Sequence, residues 1–263
     1  MADNGVWRRS LDEVALSAAP WPVEVLEETG STNAVLAERA RQGGAQQVLV
    51  TEHQTAGRGR LDRTWVTPDR AALTFSVLLR PEVDASRWPW LPLLVGEAVR
   101  AALAVHEVEL SVKWPNDVLI GELKVAGILL ERVDGSSGPA AVVGVGINVS
   151  TAREELPVDT ATSLGIELSS APDRTGVLLA VLAELHRSYA EWSADGSDEF
   201  LRAAYVRHCS TIGRQVRVDL PGGSAVHGTA RDVDARGRLV VESPAGTTVV
   251  GAGDVVHVRS SDQ

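Results

Sequence analysis

Apolar residues recur at two periods along this chain, and the switches between them mark its elements. Val23 to Leu26, Gln47 to Glu52 and Ala71 to Leu79 are short runs rich in β-branched residues that predict strands. Glu109 to Trp114, two short strands around Gly121-Glu122 continuing to Arg132, and Ala140 to Val149 extend the set. Helical spacing takes over from Asp173 to Trp192, where Val177, Leu178, Val181, Leu182, Leu185 and Tyr189 recur, and Asp198 to His208 adds another helix. Ser10 and Glu13 read as the capping box of a short first helix. Gly30-Ser31-Thr32-Asn33 opens a second helix to about Gln42, stopped by Gly43-Gly44. Trp88 to Val105 is helical in pattern, with Pro89 and Pro92 expected to confine the regular part to its second half.

Beyond Gly213 the character changes. Short Val-rich strands are split by Pro221-Gly222-Gly223, Ala235-Arg236-Gly237, Pro244-Ala245-Gly246 and Gly251-Ala252-Gly253, the punctuation of a small β-barrel. Elsewhere strands and helices are interspersed without regular βαβ alternation, so the fold class expected is α+β. The division expected is a large domain over residues 1–211 and the barrel module over 212–263.

Composition narrows the partners. The 263 residues carry a formal net charge of −10, which opposes non-specific binding to nucleic acid. One cysteine, Cys209, allows no internal disulfide and suits a reducing cytoplasm; in a helical run it reads as a small packed hydrophobe. The six histidines are scattered without metal-ligand spacing, so no protein-held metal is expected. The N-terminus lacks a signal-peptide core, and no apolar stretch is expected to span a bilayer. Only 30 residues precede Ser31, and they include Pro20-Trp21-Pro22; a helix-turn-helix reader is not expected there, nor any nucleic-acid partner.

Candidate chemistry concentrates between Glu52 and Trp65. Gly57-Arg58-Gly59-Arg60, with Arg63 and Trp65 behind, combines a glycine backbone that is costly to order with guanidinium forks that match phosphate and carboxylate oxygens. Such a loop is expected to be mobile until an anion arrives. Walker A is absent, and a Rossmann fingerprint fails at Asp62 and at Val149. Gly144 and Gly146 share one strand face opposite Val143, Val145 and Ile147, leaving room for a flat ligand or for a crossing backbone. Lys113-Trp114-Pro115-Asn116-Asp117 sets a cation, an aromatic, an amide and a carboxylate at a strand-to-turn junction. Lys124, in an otherwise apolar strand, is either an edge guard or a functional cation. Ser31-Thr32-Asn33 serves equally as a helix cap and as a polar recognition site.

In this order the motifs, with Lys124-Val125-Ala126-Gly127-Ile128 and Gly144-Val145-Gly146-Ile147-Asn148, resemble the biotin protein ligases over residues 31–148, and the terminal module extends the likeness to about residue 258. The resemblance implies a mixed-sheet catalytic domain and an SH3-like barrel. It implies ATP and biotin as substrates, joined as biotinyl-5′-AMP, with magnesium arriving through the phosphates. The acyl group then passes to one lysine of a biotin carboxyl carrier domain of an acyl-CoA carboxylase. It puts Ser31, Thr32 and Gln54 at the biotin head group, with Asn33 beside them. Gly57, Arg58, Gly59, Arg60 and Arg63 become a lid, Trp65 the cover of the adenine and Asn148 an adenine contact. Gly144 and Gly146 flank the ligand, and Lys113 and Asn116 also line the binding site. Lys124, Arg58 and Arg60 carry the charge chemistry. Asp117 orients or deprotonates the acceptor lysine, or else stabilises its turn. Leu61 and Asp62 depart from the more basic lid of some relatives. Within the superfamily the alternative is a lipoate or octanoate ligase or transferase; the Gly-Arg-Gly-Arg loop and residues 113–117 favour biotin.

Overall fold

The structure, a computed structural model, describes residues 8–61, 63–194 and 196–258; Asp62, one of the two departures in the lid, lies outside them. Seven strands form a mixed sheet: β1 (Val23–Thr29), β2 (Gln47–Gln54), β3 (Ala72–Leu79), β4 (Leu110–Lys113), β5 (Asp117–Ile120), β6 (Leu123–Gly135) and β7 (Gly138–Asn148), in the order β1-β2-β3-β7-β6-β5-β4. Only the β1–β2 pair is parallel, and every other neighbour is antiparallel.

Helices cover both faces, and β3 is buried along its whole length. α1 (Glu13–Leu16), α3 (Leu91–Leu103), α5 (Arg174–Ala194) and α6 (Glu199–His208) contribute to the larger core, with Leu73, Phe75, Val77, Val143, Val145 and Ile147 from the strands. α2 (Thr32–Arg41) lies on the opposite face, packing Leu36, Ala37 and Ala40 onto Leu49, Leu78, Ala140 and Val142. A short α4 (Leu164–Glu167) follows β7. The buried Arg174–Glu52 ion pair, at 2.6 Å, ties α5 to β2, and Glu52 also accepts from the Leu11 amide.

Three sequence expectations shift. Asp12, not Ser10, caps α1 by accepting from the Ala15 amide at 3.0 Å. Pro92 sits in the first turn of α3, where a missing N–H costs nothing, so the regular helix starts at Leu91. The helical segment Ala85–His106 is, by length and mean hydropathy, long and apolar enough for a membrane span, contrary to expectation. In this fold it is a core helix, with Leu91, Leu94, Val95, Ala98 and Val99 buried.

The terminal module is a second, antiparallel sheet of β8 (Gln215–Asp219), β9 (Ala225–Val233), β10 (Leu239–Ser243), β11 (Gly246–Val250) and β12 (Asp254–His257), ordered β11-β10-β9-β8-β12. This is the small all-β module expected, and among the described residues β11 and β12 are its edge strands. Two indoles of the first domain anchor it: Trp90 donates to the Ala235 carbonyl and Trp114 to the Gly237 carbonyl, each at 3.0 Å.

Candidate active site

The site begins where α2 runs out. Along β7, Ala140 and Val142 lie under α2, and the next residues on that face are Gly144 and Gly146. Register carries this bare strip sideways: Gly146 pairs with Gly127 of β6 and with Thr74 of β3, and Gly144 pairs with Leu129 and Ser76. A Cβ on Gly144 would stand 2.3 Å from Asn33 Oδ1, and one on Gly146 the same distance from Trp65 Cε2. These glycines let side chains rest directly on the sheet, where any larger residue would push them off.

The wall nearest α2 is polar and internally bonded. Ser31 caps the helix through the Ala34 amide, and the Thr32 amide donates to Gln54 Oε1 at 3.0 Å. Ser76 lies 2.7 Å from Thr32 Oγ1 and donates to Asn33 Oδ1 at 2.6 Å, while Asn33 Nδ2 donates to Glu131 at 2.8 Å. The residues that open the helix also line the cavity.

The facing wall is charged. Lys124 is not an edge guard, since β6 is an interior strand between β5 and β7. Its Nζ lies 2.6 Å from Asp117 Oδ1, 5.7 Å from the Trp65 ring centroid, and above Gly127, where an added Cβ would stand 2.9 Å away. Lys113 lies behind, paired in register with Asp117. Burial pulls the Lys113 ammonium below its ordinary range, against Asp117 and Asp254, which raise it.

The arginine loop is a small hairpin rather than a free coil. Arg58 and Thr64 form a bridge, the Trp65 amide donates to the Gly57 carbonyl at 2.9 Å, and the Gly59 amide donates to Arg63 at 2.6 Å. Leu61 at its tip takes φ 52°, the left-handed region a tight reversal uses. In this structure the three arginines meet protein acceptors. Arg58 donates to Glu131 at 3.0 Å; Arg60 to Asn116 Oδ1 and the Gly253 carbonyl, each at 3.3 Å; and Arg63 pairs with Asp254. Burial lowers the Arg60 pKa, opposed by Asp254 and then Asp117.

Beneath this hairpin the cavity measures about 120 Å³, well short of the roughly 300–1,000 Å³ common for small-molecule sites. The Trp65 ring takes the missing space. Its buried Nε1–H has no hydrogen-bond partner among the described residues.

The cavity lining brings together Ser31, Thr32, Asn33, Gln54, Arg58, Gly59, Arg60, Arg63, Trp65, Asn116, Asp117, Lys124, Gly144 and Gly146. Three expected residues stand outside it. Gly57 packs beneath, where a Cβ would strike the Trp65 carbonyl and Gln54. Lys113 acts at a distance through charge. Asn148, expected against adenine, instead donates to the Thr162 carbonyl at 2.9 Å and is buried. The sequence reading overlooked Gly127, Thr74, Ser76, Glu131 and Asp254 as site residues. Gly127 was findable by pairing it with Gly146; Asp254, 191 residues from Arg63, had no local signal.

Comparison with known proteins bears on this geometry. The Biotin/lipoate A/B protein ligase family matches residues 25–148, and the Biotin protein ligase C terminal domain matches residues 211–258. The biotin--[acetyl-CoA-carboxylase] ligase of Mycobacterium tuberculosis is 41% identical, covering 98% of this chain and all of that one. The chain belongs to the biotin protein ligase family. Another family member, the biotin protein ligase of Aquifex aeolicus in complex with biotin and ATP, is 30% identical over 91% of this chain and 99% of its own, with a TM-score of 0.77. The bifunctional ligase/repressor BirA of Escherichia coli is 30% identical over 92% of this chain and 75% of its own. Family membership gives the α+β fold its context: a mixed sheet carrying the site and a separate antiparallel sheet against it.

Proposed function

We propose that this chain activates biotin with ATP as biotinyl-5′-AMP and transfers the acyl group to one lysine of a biotin carboxyl carrier domain of an acyl-CoA carboxylase. The observation that carries the reading is a side-chain-free strip of sheet facing an arginine hairpin, with Lys124 between them. A bare floor receives a flat bicyclic head group, and the bonded polar wall of Ser31, Thr32, Asn33 and Gln54 supplies its hydrogen-bond partners.

Joining a carboxylate to an ATP phosphorus brings anions together, so the site must supply positive charge where negative charge develops. Lys124, Arg58 and Arg60 are the groups for that task. At an effective dielectric near 20, one cation about 4 Å from an oxyanion gains roughly 4 kcal/mol before desolvation. Asp117 holds the Lys124 ammonium in place, and its carboxylate also gives the proton of the acceptor lysine a destination. Trp65, with its unpartnered N–H, is suited to cover the adenine, and the hairpin keeps water from a mixed anhydride. Asn148 acts by fixing the segment after β7 through Thr162. Magnesium enters with the nucleotide phosphates as part of that substrate.

The boundary between catalytic domain and terminal module falls at residues 211 and 212, supported by the separation of the two sheets. The use of ATP and the single buried thiol support a cytoplasmic setting, and the acidic balance opposes a nucleic-acid partner. The test is a mass gain equal to one biotinyl group on a carrier domain, dependent on both biotin and ATP. ATP–pyrophosphate exchange with biotin and lipoate in competition separates the two acids; exchange driven by lipoate alone overturns the reading.

A further inference from the structure

We infer that Asp254 is a positioning residue for this reaction, holding the arginine hairpin over the site from the terminal module. The inference rests on the function proposed above and assigns the second sheet a part in it.

Asp254 opens β12, a strand at the edge of that sheet, and lines the same cavity as Lys124 and Trp65. Its carboxylate pairs with Arg63, and the preceding carbonyl, Gly253, accepts from Arg60 at 3.3 Å. Two consecutive residues of one module therefore hold two of the three hairpin arginines of the other. The grip is built rather than incidental. A Cβ on Gly253 would stand 2.7 Å from Val218 Cγ1 and 3.0 Å from the Asp219 carbonyl, so glycine there lets β12 lie tightly on β8 and fixes the carbonyl that Arg60 uses. In the register of β12 and β8, Asp254 faces Asp219, whose own charge is met by Arg217 at 2.8 Å. A like charge opposite is unfavourable in a sheet, which favours a cation on Asp254. The third arginine, Arg58, is held by Glu131 of the catalytic sheet, so the hairpin is tethered at one end by each module. Asp254 also opposes the effect of burial on both Arg60 and Lys113.

Arg63 is 64% exposed and Asp254 30% exposed, so the pair contributes modestly. The corresponding change in hairpin opening is about two- to fivefold. Two measurements on the full chain test this. In amide hydrogen exchange of the protein alone, Asp254→Asn and Arg63→Asp should each speed exchange across residues 57–65 by that factor while β7 is unchanged. Protein loaded with radiolabelled biotinyl-5′-AMP should release it faster by the same factor in both variants, and the charge swap Arg63→Asp/Asp254→Arg should restore slow release. A side chain that served only folding would lower the thermal midpoint and would not be rescued by reversal. Unchanged hairpin exchange in both single variants, or a swap no better than either, overturns the inference. Failure of the unaltered chain to form any adenylate overturns the functional reading instead.

Discussion

Replacing Lys124 with alanine removes the cation that stands between the glycine floor and Asp117. The ammonium has one carboxylate partner at 2.6 Å and a side chain 32% exposed, so its charge is already partly spent. Starting from roughly 4 kcal/mol for a cation 4 Å from an oxyanion, we retain about half to two-thirds, or ~2–3 kcal/mol. At 1.36 kcal/mol per decade, biotin-dependent ATP–pyrophosphate exchange should fall about a hundredfold. The fold should hold, because β6 is tied here by its backbone: the Lys124 amide donates to Thr160 and its carbonyl accepts from Thr162, each at 2.8 Å. Lys124→Arg should rescue poorly, since the ammonium lies directly over Gly127 and a planar guanidinium there meets the Trp65 ring. Exchange at the unaltered rate in Lys124→Ala, with an unchanged melting temperature, would remove this residue from the chemistry.

Other consequences are open to direct measurement. Gly144→Ala drives a methyl into Asn33 Oδ1, costing about 1–3 kcal/mol of overpacking; calorimetric titration should show biotin affinity down at least several-fold, and unchanged affinity would mean the ligand does not use this floor. Glu52→Gln leaves the buried Arg174 guanidinium without its counter-charge, and denaturant unfolding should show a loss of roughly 3–5 kcal/mol. His257 is held neutral, its pKa lowered from 6.5 to about 4 first by burial and then by Lys113 and Arg214. The unfolded chain therefore takes up a proton that the folded chain refuses, so stability is full above pH 6.5 and declines as pH falls toward 4. His257→Gln should flatten part of that decline; identical slopes in the two proteins would contradict the assignment.

Local patterns in the chain carried most of this architecture. The glycine alternation in β7 pointed to a strand face without side chains because the strand period is two, and Gly144 and Gly146 do share the face beyond α2. Ser31-Thr32-Asn33 marked the start of α2 because a cap must accept from the first free amides. What stayed hidden was produced by pairing at long range. Gly127 joins the floor only through the β6–β7 register, and Glu131, farther along β6, meets Arg58 from 73 residues away in the chain. Asn148 was expected at the adenine from the family resemblance alone, and its bond to Thr162, 14 residues later, had no local signal. Lys124 was ambiguous for a related reason, since strand order decides whether a lysine guards an edge.

The hairpin of Arg58 to Trp65 is stitched by its own backbone, so its indole and its guanidinium groups travel together. Lifting the ring off Gly146 to admit a guest tugs the arginines from Glu131 and Asp254 in the same stroke, and so does letting a guest leave. Where those tethers are equally strong with and without a guest, strengthening one slows arrival and departure by the same factor. Such a protein can lengthen the life of a fragile intermediate without altering how tightly it binds.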